Sequence, residues 1–137
     1  MSLRWSGWLH ALFALLIISS AYAGESVPIG TIVARPESYN VHIVTLQGIA
    51  RQVEPLGPYV NSDCGRVYDS YKFMLMDDTG SLEVTVPGPC ERPPGTMIPV
   101  SEGEKVVVEA MIGVVRSDNL PPPVYGIAHT IQRQEGN

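Results

Sequence analysis

The sequence predicts an all-β fold: a five-stranded barrel, closed or nearly so, with room for one short helix at its N-terminal end. Three observations carry this. Runs of alternating apolar and polar residues recur along the chain, the period-2 signature of half-buried strands. The connections between them are dense in turn formers, residues 87–103 alone holding five prolines and three glycines, which excludes a regular helix there. Five short strands laid out flat would leave two open edges and one bare apolar face, and closing the sheet removes both problems.

The elements follow in chain order. Arg4 stands ahead of the apolar run Leu9–Ile18, and Ala21-Tyr22-Ala23 places small residues around a cleavage position before Gly24, the pattern of a secretory leader over residues 1–23. Its apolar core of about ten residues is well short of the roughly twenty that cross a bilayer. No cysteine stands at the cleavage point, so a lipid anchor is disfavoured and no membrane insertion is expected after cleavage. Residues 24–137 are then expected to form one domain, secreted or periplasmic, since they are too few for two. Arg4 is the only charged side chain of the leader, so the formal charge of −5 for the whole chain becomes −6 for residues 24–137. Such a surface repels phosphate backbones and anionic membranes.

Ile29–Ser38 is expected to hold one short helix ending near Pro36, with Ile29, Ile32 and Val33 on one side as a plug or lid. Val41–Val53 reads as a long strand that Gly48 interrupts, and a glycine inside such a strand marks a bulge or bend where a sheet curls. Glu54–Val67 reads as a loop. Tyr68–Asp77 alternates, with Tyr71, Phe73 and Leu75 on one face and Lys72, Met74 and Met76 on the other. Asp77-Asp78-Thr79-Gly80 makes a turn, and Ser81–Val86 returns with Leu82, Val84 and Val86 inward and Glu83 and Thr85 outward, so the two runs form a hairpin. After the crossing loop 87–103, Glu104–Val115 is the expected central strand, its Val106, Val108, Ala110, Ile112 and Val114 on one side. Residues 117–123 form a stiff proline-rich turn, and Val124–Gln132 closes the domain with Tyr125, Ile127 and Ile131 inward.

The only two cysteines, Cys64 and Cys90, both lie in the exported part, where an oxidising compartment closes such a pair into a disulfide. A redox or metal-binding dithiol is the weaker alternative: the pair is not CxxC, and turn residues flank each member.

Several stretches resemble a known family. Pro36-Glu37, Val44-Thr45-Leu46-Gln47-Gly48, Tyr71-Lys72-Phe73-Met74-Leu75-Met76-Asp77-Asp78-Thr79-Gly80-Ser81-Leu82-Glu83-Val84 and Glu102-Gly103-Glu104-Lys105-Val106-Val107-Val108-Glu109-Ala110 look like the stand-alone OB-fold domains related to the anticodon-binding and bacterial periplasmic OB families. The resemblance implies a five-stranded Greek-key barrel. Its ligand face would lie on the second and third strands, flanked by the loops after the first and fourth. Here that face is Lys72, Met74, Met76, Glu83 and Thr85, with Tyr59, Asn61, Asp63, Arg66 and Tyr68 in the first loop and Arg116–Pro123 in the last. The chain departs from the many OB domains that carry a helix between strands three and four, having a proline-rich loop there.

The chemistry that these residues support is binding. Single-stranded nucleic acid needs aromatic platforms in a basic groove, and the face offers one lysine among methionines and acids, with Tyr59 and Tyr68 as its rings. Metal handling would need His42 and His129 to meet across neighbouring first and last strands with an aspartate, or Met74, Met76 and Met111 to gather as a soft copper patch. Surface histidines and packing methionines are the simpler readings. Asp77 and Asp78 fit a hairpin turn, not a calcium loop or an acid/base pair. No serine sits in a nucleophile elbow and no cofactor is implied. The expectation is a non-catalytic binding or adaptor domain with a protein partner in the cell envelope, or a small-molecule ligand. Oligonucleotide binding and metal handling are the alternatives.

Overall fold

The computed structural model describes residues 24–135; the leader expected at residues 1–23 lies outside them. The elements are α1 (Ile29–Ala34), a 3-10 turn (Pro36–Ser38), β1 (Ile43–Pro55), β2 (Tyr59–Asn61), β3 (Gly65–Val67), β4 (Tyr71–Asp77), β5 (Gly80–Val86), β6 (Lys105–Val114) and β7 (Val124–Arg133). Five of the strands close into a barrel in the order β1-β4-β5-β7-β6, and β2 and β3 form a separate hairpin.

Closure depends on β1. Its first half, Ile43–Ile49, pairs with β6, and its second half, Ile49–Pro55, pairs with β4. The change of partner falls beside Gly48, where a Cβ would overlap the main-chain carbonyl of Met76 and stand 3.2 Å from Leu75 Cδ1. Only a residue without a side chain lets the strand pass so close to β4. The bulge lies further on, between Arg51 and Glu54, with Gln52 at φ 53°. Glu102 satisfies the displaced backbone, accepting hydrogen bonds from the N–H groups of Gln52 (3.1 Å) and Val53 (3.3 Å). The sequence places the bend at Gly48; the structure divides it into a close approach there and a bulge four residues later.

Each barrel strand turns alternate side chains inward. Leu46 and Ala50, Phe73 and Leu75, Leu82 and Val84, and Val106, Val108, Ala110 and Ile112 form the core. Ile29 and Ile32 of α1, both fully buried, join it from below. The helix is thus the expected plug, one turn shorter than Ile29–Ser38 because Pro36 starts a 3-10 turn instead of continuing it. The β4–β5 hairpin has its expected register, from Tyr71 opposite Val86 to Asp77 opposite Gly80.

Two expectations need correction. Residues 54–67 are not simply a loop, since β1 runs to Pro55 and the β2–β3 hairpin occupies Tyr59–Val67. On β7, Gly126 and Ala128 face the core, while Tyr125 and Ile127 are half exposed on the outside. The cause is lack of space: Gly126 lies against Ala110, Val84 and Leu82, and even an added Cβ would come within 3.3 Å of the Ala110 methyl. A register shift after Glu109 of β6 then restores Ile131 to the core side.

The long connections are held by side-chain anchors. Cys64, at the tip of the β2–β3 hairpin, is disulfide-bonded to Cys90 in the β5–β6 connection, with the two Cα atoms 5.7 Å apart. Between β3 and β4, Asp69 accepts hydrogen bonds from the N–H groups of Gly95 (2.9 Å), Thr96 (2.9 Å) and Met97 (3.2 Å). Its neighbour Ser70 is buried, and its Oγ takes the N–H of Gly88 at 2.9 Å. The proline-rich loop is ordered without regular structure because its amides are satisfied in this way.

Two stability measurements follow. Gly48→Ala should cost about 1 to 3 kcal/mol, read as a lower urea midpoint at unchanged slope. Reducing the disulfide, which closes a loop with a sequence separation of 26, should lower unfolding free energy by about 3 to 4 kcal/mol. Equal midpoints for oxidised and reduced protein would contradict the second expectation.

Candidate functional site

The pleat of β4 and β5 decides which side chains are offered to a ligand. Because Tyr71, Phe73 and Leu75 turn inward, Lys72, Met74 and Met76 face outward. The register sets Lys72 opposite Thr85, Met74 opposite Glu83 and Met76 opposite Ser81. Five of the sequence-derived residues, Lys72, Met74, Met76, Glu83 and Thr85, therefore form one patch. The patch is wider than the sequence suggests. Arg51 pairs with Met74 and Ile49 with Met76 on the β1 side, while Tyr125 pairs with Glu83 and Ile127 with Thr85 on the β7 side. Tyr125 lies across Gly113 of β6, whose Cβ would overlap the tyrosine ring. Small residues at 126 and 128, alternating with large ones at 125 and 127, are the signal that could have placed these side chains outside.

The β4–β5 centre of the patch is electrostatically quiet. Lys72 Nζ lies 3.4 Å from Glu83 and 3.9 Å from Glu54, so two carboxylates bracket its charge. Met76 is 45 % exposed.

The remaining sequence-derived residues lie off the sheet. Tyr59 and Arg66 belong to the β2–β3 hairpin, where Val60 pairs with Arg66, and both are exposed. Tyr68 is half-buried and lines a cleft of about 300 Å³ with Pro55, Pro58, Pro94 and Met97. Asn61 closes the hairpin turn by accepting the N–H of Asp63 at 2.8 Å. The β6–β7 loop is exposed over Arg116–Pro121, with Leu120 at 92 %.

The metal alternatives lose their geometry. His42 precedes β1 and His129 lies on β7, with β6 between β1 and β7, and the His42 Nδ1 is engaged with the carbonyl of Asn40 at 2.9 Å. Met111 pairs with Ile43 at the start of β1, far along that strand from Ile49 and its partner Met76. Among the described residues, no group of three or more His, Cys, Asp or Glu is placed to hold a metal ion.

Asp77 has a structural task that the sequence indicates only in part. Its Oδ1 accepts hydrogen bonds from the N–H of Thr79 (2.8 Å), the Thr79 hydroxyl (2.6 Å) and the N–H of Gly80 (3.0 Å). Its Oδ2 takes the N–H of Ile29 at 2.9 Å, and Thr79 Oγ1 takes that of Gly30 at 2.8 Å. The hairpin turn thereby caps the first turn of α1 and fixes the plug. Burial raises the Asp77 pKa, but the accepted hydrogen bonds outweigh it and hold the carboxyl below its ordinary value of 3.8. Asp69 is lowered too, first by the Gly95 N–H.

No family model matches the sequence, and no curated protein matches it. Solved structures do. The fold is similar to part of a protein described as an aspartyl-tRNA synthetase from Leishmania major Friedlin, at 14 % identity and a TM-score of 0.58, over 86 % of this chain and 22 % of that one. It is also similar to the second OB-fold domain of replication protein A from Methanococcus maripaludis, at 15 % identity and a TM-score of 0.54, over 72 % of this chain and 89 % of that one. The chain thus spans about a fifth of the length of the first. With the strand order, these likenesses show the OB fold, a five-stranded Greek-key barrel.

The Asp77 cap carries a pH signature. Its folded pKa is depressed, so the stability it supplies is fully present above 3.8 and is lost as the pH falls through the folded value. Asp77→Asn should cost about 1 to 2 kcal/mol at neutral pH and flatten the acid limb of a stability profile recorded from pH 6 down to pH 2.5. A profile superimposable on the parent's would refute the assignment.

Proposed function

We propose that this chain is a non-catalytic binding or adaptor domain that works outside the cytoplasm, in the periplasm or as a secreted protein, and engages a protein through the outer face of β4 and β5. The observation that carries the proposal is the character of that face. Its apolar side chains, Met74, Met76 and the flanking Ile49, Tyr125 and Ile127, are carried on paired strands and face outward. Its lysine is neutralised within the molecule by Glu54 and Glu83. A face built for phosphates would keep the cation at its centre free; one that pairs it internally, leaves Arg51 only at its β1 edge and offers methionine and tyrosine suits a protein surface. The OB fold supports binding in general and no ligand in particular.

Export is supported by the disulfide, which oxidising compartments favour. No helix among the described residues is long and apolar enough to cross a membrane.

A photo-crosslinking side chain in place of Met74 should yield one dominant protein adduct in native cells. The same position in a Tyr59→Ala background should yield less of it. The double variant Tyr59→Ala/Met74→Ala should lose capture of that partner while its stability stays within about 0.5 kcal/mol of the parent. Equal capture by the double variant would sink the proposal. Binding of a fluorescent single strand with steep salt dependence would replace it with the oligonucleotide reading.

A further inference from the structure

A cleft of about 600 Å³ lies beside the β4–β5 patch, where β1 changes partner. Gly48, Ile49 and Met76 line it, together with Val27 and Pro28 of the N-terminal segment. Two cations stand at its edge. Ile49 is paired with Met76 on one side and Lys105 on the other, and Arg51 is two residues further along β1. Residues 49, 51 and 105 share the outer face, so Arg51 and Lys105 are diagonal neighbours with backbones about 7 to 8 Å apart.

Neither cation is neutralised. Both side chains are exposed, and neither has a carboxylate within ion-pair distance among the described residues, although the chain is net acidic. The acids near them are engaged elsewhere. Asp77 is held by the helix cap, Glu102 by the bulge amides of Gln52 and Val53, and Glu104 by Arg133 and the N–H of Ser101. Asp77 and Asp78 both line the turn side of the cleft. Gln47 and Gln134 add an amide pair, joined at 3.3 Å.

We propose that this cleft is a carboxylate subsite for an extended acidic segment of a partner protein. An Asp or Glu side chain would lie between the Arg51 guanidinium and the Lys105 ammonium. An adjacent apolar residue would lie on Ile49 and Met76. The Arg51 fork matches the two oxygens of a carboxylate, and the methionine adapts to whichever apolar neighbour arrives. The Gln47 and Gln134 amides are placed for the segment's backbone. A phosphate is the poorer fit, because its second negative charge would add to the repulsion from Asp77 and Asp78 in the same cleft. This inference rests on the reading of the neighbouring face as a protein-binding surface, and it names the chemistry of that protein.

The test is an amide-shift titration of the 15N-labelled protein at low salt with acetyl-Leu-Glu-Leu-Glu-amide, its Gln counterpart and inorganic phosphate. The glutamate peptide should move the amides of Gly48, Ile49 and Lys105 and bind about tenfold more tightly than the glutamine peptide. Arg51→Gln/Lys105→Gln should abolish that preference, and the charge-retaining Arg51→Lys/Lys105→Arg should restore most of it. Equal affinity for the two peptides, or no shift in these amides, would overturn the subsite, as would phosphate moving them as strongly as the glutamate peptide. If the Met74 crosslink persists in that event, the protein-binding reading stands without the subsite; if the crosslink is also missing, both fall.

Discussion

One bent strand closes this barrel, and the rest of the molecule is arranged around it. β1 joins β6 to β4 by giving each of them half of its length, and the hand-over works because Gly48 has nothing to set against the backbone of Met76. Without that hand-over β4 and β6 would each be left with an open edge, and the inward rows of Leu46, Leu75 and Val106 would lose their common interior. The bend also shapes the outside, since it leaves the hollow in which Ile49 is flanked by Met76 and Lys105. The contact that makes the fold possible also makes this cleft.

Carboxylates do much of the work of holding the irregular parts. Asp69 gathers three amides of the proline-rich connection, Asp77 ties the hairpin turn to the helix, and Glu102 serves the bulge of β1. Each accepts main-chain N–H groups that no ladder reaches, and charged acceptors make the stronger hydrogen bonds. Part of the chain's negative charge is therefore committed to holding its own backbone, and the same hydrogen bonds keep Asp69 and Asp77 ionised. The two cations at the hollow are conspicuous against this background.

Much of the fold was legible from residue order. The β4–β5 hairpin, the core side of β6, the disulfide and a short plug helix within Ile29–Ser38 can each be read from local alternation, turn residues, cysteine number or a short apolar spacing. What could not be read depends on partners distant in sequence. Tyr125 and Ile127 look like core residues until Ala110, Leu82 and Val84 are seen to fill the space that they would need. Asp69 looks like a loop residue until three amides some 26 to 28 positions away arrive at its carboxylate. His42 and His129 look like neighbours only if the first and last strands touch, and the Greek-key order puts β6 between them. The candidate face was legible along β4 and β5 but not its flanks, because membership there is set by cross-strand register.

The seam between β5 and β7 is the shortest in the barrel and the only parallel one, with three residue pairs, Glu83–Tyr125 to Thr85–Ile127. It brings together strands separated by the whole β5–β6 connection, β6 and the loop after it, so its closure waits until most of the chain is in place. Backbone amides there should be among the first in the barrel to exchange with solvent. The structure therefore has a built-in zip: a small all-β unit that opens along one line while the cross-linked loops, the capped helix and the long β1–β6 ladder stay intact.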